Sequence, residues 1–330
     1  GIKSIGNRNY FEVNQTGNNN GAFGERFVNS STTTFGQVGD DNAAVINQTG
    51  DLNHANFVQE GNQNSIDVFQ TGDENQYHSE QYGSDNYVLS NQEGNLNDGS
   101  FVQTGNFNNI SNLQTGNNND ADANQTGDNN YVDAVQTGNS NQYYVAQTGS
   151  ENGAVVRQDG NSNVAGFNQK GGNNGAEILQ DGNHHVAYVI QDGSGNYISS
   201  DQAGDATAPN GNTYASLGHD SVSTQVGNDN HINFQQRGLI QDIDVAQFGN
   251  NNNFHAEQGT AGGNVLAAIP GRSNISAVQT GNANNLNILQ FDIDQEAVVN
   301  QTGNNLTGNI VQKIDWNHVE ANQSGSNSSF

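Results

Sequence analysis

Cysteine and methionine are absent from the 330 residues, and proline occurs only twice, at Pro209 and Pro270. Without cysteine, no disulfide staples the chain and no thiol chemistry is available. The lack of methionine, even at the first position, is what we expect of a processed mature form whose export signal has been removed. Basic residues are scarce: 8 Lys+Arg stand against 34 Asp+Glu, a formal charge of −26. That balance argues against nucleic acid and against anionic membrane surfaces as partners. It suits solubility during export and delays self-association until strands align. No apolar stretch approaches the ~18 residues of a membrane helix. Only 31% of the chain is hydrophobic. On averages alone that composition reads as disordered or prion-like.

Spacing overrules the averages. Sixteen glutamines follow one another at intervals of eleven: Gln37, Gln48, Gln59, Gln70, Gln81, Gln92, Gln103, Gln114, Gln125, Gln136, Gln147, Gln158, Gln169, Gln180, Gln191 and Gln202. Gln15 lies on the same ruler, with Arg26 in the slot between. Gln225, Gln236, Gln247 and Gln258 continue it after a one-residue insertion, and Gln279 to Gln323 after a one-residue deletion. Low-complexity tracts drift in spacing. A fixed period over a whole chain belongs to stacked, near-identical coils.

Each unit can be numbered from its glutamine as zero. Glycine stands at +2: Gly39, Gly50, Gly61, Gly72, Gly83, Gly94, Gly105, Gly116, Gly127, Gly138, Gly149, Gly160 and onward to Gly204. Asparagine stands at +5: Asn42, Asn53, Asn64, Asn75, Asn86, Asn97, Asn108, Asn119, Asn130, Asn141, Asn152, Asn163 and Asn174. Positions +7 and +9 are mostly apolar, as in Ala44/Ile46, Ile66/Val68 and Ala165/Phe167. The period inside a unit is two, which is a strand. Positions +5, +7, +9 and +11 therefore face the core together. Positions +6, +8 and +10 face outward. The +10 slot is sometimes apolar (Val58, Phe69, Val102, Leu113, Ile190), which predicts a moderately sticky outer surface. Positions +1 to +4 make the turn, and a fixed glycine there predicts a backbone angle with φ > 0. The unit is thus a four-residue turn followed by a seven-residue strand.

One strand and one turn enclose nothing. Two units form a flat 22-residue coil with two strands across a thin core, and three would form a triangle. The small inward residues favour two sheets about 10 Å apart. The expected fold is all-β: a two-sided β-solenoid of stacked 22-residue coils, one domain over 1–330. In register, each inward amide lies ~4.8 Å from its twin, and identical amides can bond along the column because each carries donors and an acceptor. Carboxylates stacked the same way would repel. A lone coil buries four core side chains, too few to offset the ordering of 22 backbones, so formation should be cooperative.

At one end Ser4 fills the glutamine slot, Gly6 the turn slot, Asn9 the +5 slot, and Phe11 and Val13 the core. At the other, Gln323 and Gly325 open a unit that reaches Phe330, a core slot. Neither end shows a capping segment, so uncapped strand edges are expected to template further chains. Both prolines fall where the period breaks, in 203–224 and 259–278. Proline cannot donate to a ladder, so these segments are expected to bulge as loops.

The unit Gln-x-Gly-x-x-Asn-x-Ala-x-x-x-Gln resembles the curlin repeat. One instance runs from Gln158 through Gly160, Asn163 and Ala165 to Gln169, and the resemblance extends from about Ser4 to Phe330. Family repeats often open one strand of each pair with Ser, where this chain usually has Asn, so which units pair across the core stays open. The resemblance implies a cross-β amyloid: a subunit of curli, the extracellular fibres of bacterial biofilms, exported through the periplasm and outer membrane. It implies the chain itself as the main partner, in a homopolymer fibre. It further implies a minor nucleating curlin, a periplasmic chaperone and an outer-membrane secretion pore, with no membrane insertion and no nucleic acid.

No catalytic constellation emerges, so an enzyme is not expected, and neither is a cofactor or a resident metal. Histidines sit at unrelated slots (His54 at +6, His78 at +8, His185 at +5) and read as incidental. Asp51/Asp73 and Asp159/Asp181 would stack on turn columns. Such pairs read as mutually repelling solvated acids rather than calcium ligands. Thr recurs at turn slot +1, not in the strand-face rows of ice-binding solenoids. The alternative of another class is a monomeric β-solenoid surface adhesin or ligand-binding module.

Overall fold

The computed structural model describes residues 4–23, 26–28, 31–33, 36–204, 219–237, 241–259, 273–291, 294–313 and 316–330. Among them every regular element is a β-strand and none is a helix. The chain divides into two compact units, Gly1–Val156 and Arg157–Phe330.

In the first unit, successive strands alternate between two sheets. The front sheet contains His54–Asn62, Gln76–Ser84, Asp98–Asn106, Asp120–Thr126 and Gln142–Ser150. The back sheet contains Tyr10–Thr16, Ala43–Thr49, Ser65–Thr71, Tyr87–Glu93, Asn109–Thr115 and Tyr131–Asn139. All neighbours within these sheets are parallel, and in the regular region they pair 22 residues apart: Gln81 faces Gln103 and Gln92 faces Gln114. The coil therefore has two sides, not three. The second unit is built the same way. Its front sheet runs from Val164–Gly172 to His318–Ser326, and its back sheet from Gly175–Asn183 to Thr307–Gln312.

Side-chain parity follows the period of two. Along Ser65–Thr71, Ile66, Val68 and Gln70 are buried while Ser65, Asp67 and Phe69 are not. The core of the first unit is a single layer in which large and small residues alternate along a column. Phe57, Ser79, Phe101, Ala123 and Val145 succeed one another on the front sheet. Phe69 and Ile190 lie exposed on the outer face as the +10 slot requires, but Val58 is fully buried. The strand pairing beside Val58 is interrupted, which sets it apart from the other +10 positions.

That interruption corrects the ruler. Arg26 does not occupy a glutamine slot. Gln15 pairs with Gln48, 33 residues on, instead of 22. One front rung starts as Gly21–Phe23 beside His54–Asn56 and resumes as Gln37–Val38 beside Gln59–Glu60. Between the two halves the chain makes an excursion that includes the antiparallel pair Arg26–Val28 and Ser31–Thr33. The later breaks behave alike. Gln191 pairs with Gln225 at an offset of 34, and Gln247 with Gln279 at an offset of 32. What counts as a one-residue slip along the sequence is in the fold an insertion of 12 (34 − 22) or 10 (32 − 22) residues. The bulk of both expected loops, with Pro209 and Pro270, lies outside the described residues.

Strands also run longer than seven residues in places. Gln76–Ser84 spans nine, because Gly83 stays in register with Gly105. Even where the strand is seven long, Gly94 N–H donates to the Thr71 carbonyl. The turn thus remains hydrogen-bonded to its neighbour coil.

Candidate functional site

With no cleft chemistry to build from, the candidate site is the set of columns that joins one coil to the next. Toward the end of each regular strand stands a glutamine whose side chain points inward. In the first unit the front column is Gln37, Gln59, Gln81, Gln103, Gln125 and Gln147. Each Nε2 donates to the next Oε1, at 2.9–3.0 Å. The back column is Gln15, Gln48, Gln70, Gln92, Gln114 and Gln136, at 2.6–3.0 Å. The second hydrogen of Nε2 crosses the core: Gln59 also donates to the Ala43 carbonyl at 2.9 Å, where the opposite strand begins. One amide therefore links its coil to the next and one sheet to the other. In the second unit Gln158, Gln180 and Gln202 form one such column and Gln169, Gln191 and Gln225 the other.

The +5 asparagines form two turn columns in the first unit. Asn42, Asn64, Asn86, Asn108, Asn130 and Asn152 line the front-to-back turns. Asn53, Asn75, Asn97, Asn119 and Asn141 line the back-to-front turns. Asn64 donates both its backbone N–H and its Nδ2 to Asn42 Oδ1, at 3.1 and 3.2 Å. Asn42 Nδ2 in turn donates to the Gly61 carbonyl of the following coil at 2.7 Å. The two kinds of amide run in opposite senses: glutamines donate toward the C-terminus and asparagines donate to the twin behind them. Asn163 holds the start of a column in the second unit, and Asn174, Asn196, Asn230, Asn252 and Asn284 form the other.

The turn glycines have a stronger reason to be glycine than backbone angle alone. Gly105 has φ +121, and a Cβ there would sit 2.1 Å from the carbonyl oxygen of Gly127. That carbonyl is the acceptor of Asn108 Nδ2 at 2.7 Å. A side chain would thus occupy the space through which the next coil approaches its asparagine. Gly39, Gly50, Gly61, Gly72, Gly83, Gly94, Gly116 and Gly127 repeat the contact at 1.8–2.1 Å.

Two features of the turn were not foreseen. The +4 residue is also left-handed and is seldom glycine: Leu52, Leu96 and Phe107 have φ of 60, 60 and 57. The +3 residue forms a further column in which its side-chain oxygen accepts the backbone N–H of the coil before it. Asp51 donates to Asp73 Oδ1, Asp73 to Asn95, Asn95 to Asn117 and Asn117 to Asn139, at 2.7–3.0 Å. Asp51 and Asp73 are therefore stacked as expected, and each carboxylate has a backbone donor that offsets the repulsion. The recurring Asn or Asp at +3 was the available signal.

Charge is handled differently on the outer face. Asp98 and Asp120 are in register on the front sheet, with Asp122 beside them. Partial burial, and then Asp120, raise the Asp98 carboxyl above the usual range, and Asp122 is raised by burial and by both neighbours. Inside the core, Tyr143 donates to Asn112 Oδ1 at 3.0 Å, and Asn112 donates to Ser90 at 3.2 Å. The second unit brings together two histidines 34 residues apart: His185 and His219 stack at 4.9 Å, both buried. The insertion between them hid the pairing from the period. Among the described residues no cluster of three or more His, Asp and Glu could hold a metal ion.

Parallel coils locked by inward amides define a two-sheet β-solenoid. Part of it matches a known repeat: the family model described as "Curlin associated repeat" matches residues 116–149, 127–160 and 171–204. The first two matches are offset by one strand, so the front and back strands fit the same motif. Among curated proteins no match was found.

Proposed function

We propose that the chain is a secreted structural subunit that polymerises end to end into extracellular, curli-like amyloid fibres of a biofilm matrix. The observation that carries this reading is that the columns are self-complementary. Every rung of a glutamine column bonds to a copy of itself, so the contact that joins two coils can also join two chains. Gln15 gives its N–H to Gln48 and accepts from no other described glutamine, and at the far end Gln301 donates to Gln323. Among the described residues, the sheet-terminal strands Ser4–Ile5 and His318–Ser326 each have one neighbour. The acidic outer face keeps such fibres apart laterally and slows non-specific association. A solenoid of this kind needs no cofactor and carries out no catalysis. On the curlin resemblance its partners would be a minor nucleating curlin, a periplasmic chaperone and an outer-membrane pore.

Incubation of purified chain at room temperature should yield fibres by negative stain, with a meridional reflection near ~4.8 Å in aligned samples. A chain that stays monomeric by sedimentation favours a surface adhesin instead and overturns the reading.

A further inference from the structure

In the second unit the two turn columns differ. The front-to-back column keeps Asn174, Asn196, Asn230, Asn252 and Asn284. The back-to-front column begins with Asn163 and then places His185, His219, Gln241 and Ser273 in the same slot. His219 N–H donates to His185 Nδ1 at 3.1 Å, so that nitrogen is unprotonated and the ring hydrogen lies on Nε2, facing the Asp181 carbonyl at 3.2 Å. His219 Nε2 faces the Ala203 carbonyl at 3.3 Å, and its buried Nδ1 has no hydrogen-bond partner. The core of the same coil is depleted. Ser200, Ser221 and Ser223 are buried where most other coils carry Ala, Val, Ile or Phe, and Ser200 Oγ and Ser223 Oγ are unpartnered.

We propose that the His185–His219 coil is an acid-sensitive seam: it is closed while both rings are neutral and opens locally on acidification, while the asparagine-locked coils around it stay shut. A proton on His185 Nδ1 would set a donor against the His219 N–H. A proton on His219 Nδ1 would have no acceptor and would face the second ring. Asparagine Oδ1, in the same slot elsewhere, takes no proton in this range. At His219 the causes are burial and His185, with no carboxylate contributing. Asp181 offers its carbonyl to His185, and the side chains of Asp181 and Asp220 are exposed. His184, next to the pair, is itself a base, and Gln180 and Gln202 on the facing strands are neutral.

The sign follows from linkage. Burial, and then His185, push His219 down to about 3, below its ordinary value. Above pH 6.5 the closed and open forms bind the same number of protons and nothing is lost. As pH falls from 6.5 toward 3, only the open form takes up the proton, so opening grows about tenfold per pH unit. Between pH 7 and 4.5, His219 alone raises the opening constant on the order of a hundredfold.

The test is amide hydrogen exchange on the full chain at pH 7 and 4.5, corrected for intrinsic rates. Val186 and His219 amides report the seam. Asn253 and Asn284 amides, which bond within the regular column, serve as reference. The seam-to-reference ratio should rise about a hundredfold on acidification, and the double variant His185→Asn/His219→Asn should flatten it. A ratio unchanged with pH in the wild type, or an acid response that survives in the double variant, overturns the proposal. Should that variant fail to fold, the wild-type histidine titration decides: two rings that protonate near pH 6.5 without loss of seam protection overturn it as well.

Discussion

Replacing one turn glycine by alanine separates two effects that the turn combines. At Gly105 the added Cβ would lie 2.1 Å from Gly127 O and 2.7 Å from Gly127 C, at φ +121. The backbone strain costs about 1–3 kcal/mol. The clash is with backbone, so no rotamer relieves it, and overpacking adds about 1–3 kcal/mol. Relief by moving the coil would stretch Gly127 N–H to Thr104 O and Asn108 Nδ2 to Gly127 O, at 2.9 and 2.7 Å. Two controls lie in the same chain. Gly325 has φ +114 but nothing within 4 Å of its Cβ position, so Gly325→Ala should show the strain alone. Gly153 lacks positive φ and nothing lies within 4 Å of the position its Cβ would take, so Gly153→Ala should be neutral or stabilise by about 0.4–1 kcal/mol. Urea unfolding followed by circular dichroism measures the first and third. Amide exchange around Asn327 measures the second. Equal stability of Gly105→Ala and Gly153→Ala would refute the idea that the glycine column sets the approach of successive coils.

Gln103→Leu removes the acceptor of Gln81 and the donor to Gln125. Two buried orphan groups should lower stability by about 2–6 kcal/mol in a urea titration, and fibre growth followed by dye binding should slow. Phe107 is 59% exposed at φ 57, so Phe107→Asn should relieve strain with little lost packing and gain about 1 kcal/mol. Ser223→Ala deletes a buried hydroxyl without a partner and should stabilise the second unit by about 1 kcal/mol in thermal unfolding. The raised Asp98, Asp120 and Asp122 bind protons more readily folded than unfolded. The cost of burying their charge, with the repulsion added at Asp98 and Asp122, is therefore present above their raised values and fades as pH falls through them, so acid should tighten this face of the first unit. Asp98→Asn should reduce that gain in exchange protection between pH 7 and 4, leaving the part due to Asp120 and Asp122.

How far the sequence alone carries depends on whether a feature repeats. Two-sheet coils, inward Gln and Asn, and left-handed glycine were legible because each recurs every eleven residues. The close approach of Gly127 O to Gly105 was not, since it is a distance between coils rather than a preference of one residue. The +4 conformation at Leu52 and Phe107 was hidden for a related reason. Those residue types disfavour φ > 0, and only the surrounding ladder bonds impose it. The Arg26 slot misled because eleven residues of excursion kept the ruler intact while leaving the sheet. His185 and His219 were obscured by the opposite effect, an insertion that changed their spacing without changing their column.

The asymmetry of the second unit indicates how such a stack tolerates change. In a nearest-neighbour assembly, a defect weakens the two interfaces it touches and no others. The front-to-back column, with Gly193, Gly227, Gly249 and Gly281 in contact and Asn228, Asn250 and Asn282 bonded in series, holds coil spacing unaided. The glutamine columns run unbroken beside it, even across offsets of 34 and 32. With three columns fixing register, the fourth is released from it. The insertions and the two buried histidines, His185 and His219, collect on that back-to-front side, next to the coil with a serine-lined core. A substitution scan should therefore find the two turn columns unequal. Asn230→Ala strips the bond to Asn196 and the bond to the Gly249 carbonyl, and should cost about 1–3 kcal/mol. Gln241→Ala removes only a bond to the Arg237 carbonyl, together with an oxygen that already lacks a partner, and should cost less than half as much. Equal losses at the two sites would mean that the columns share the load, and the confinement of irregularity to one side would then need another cause.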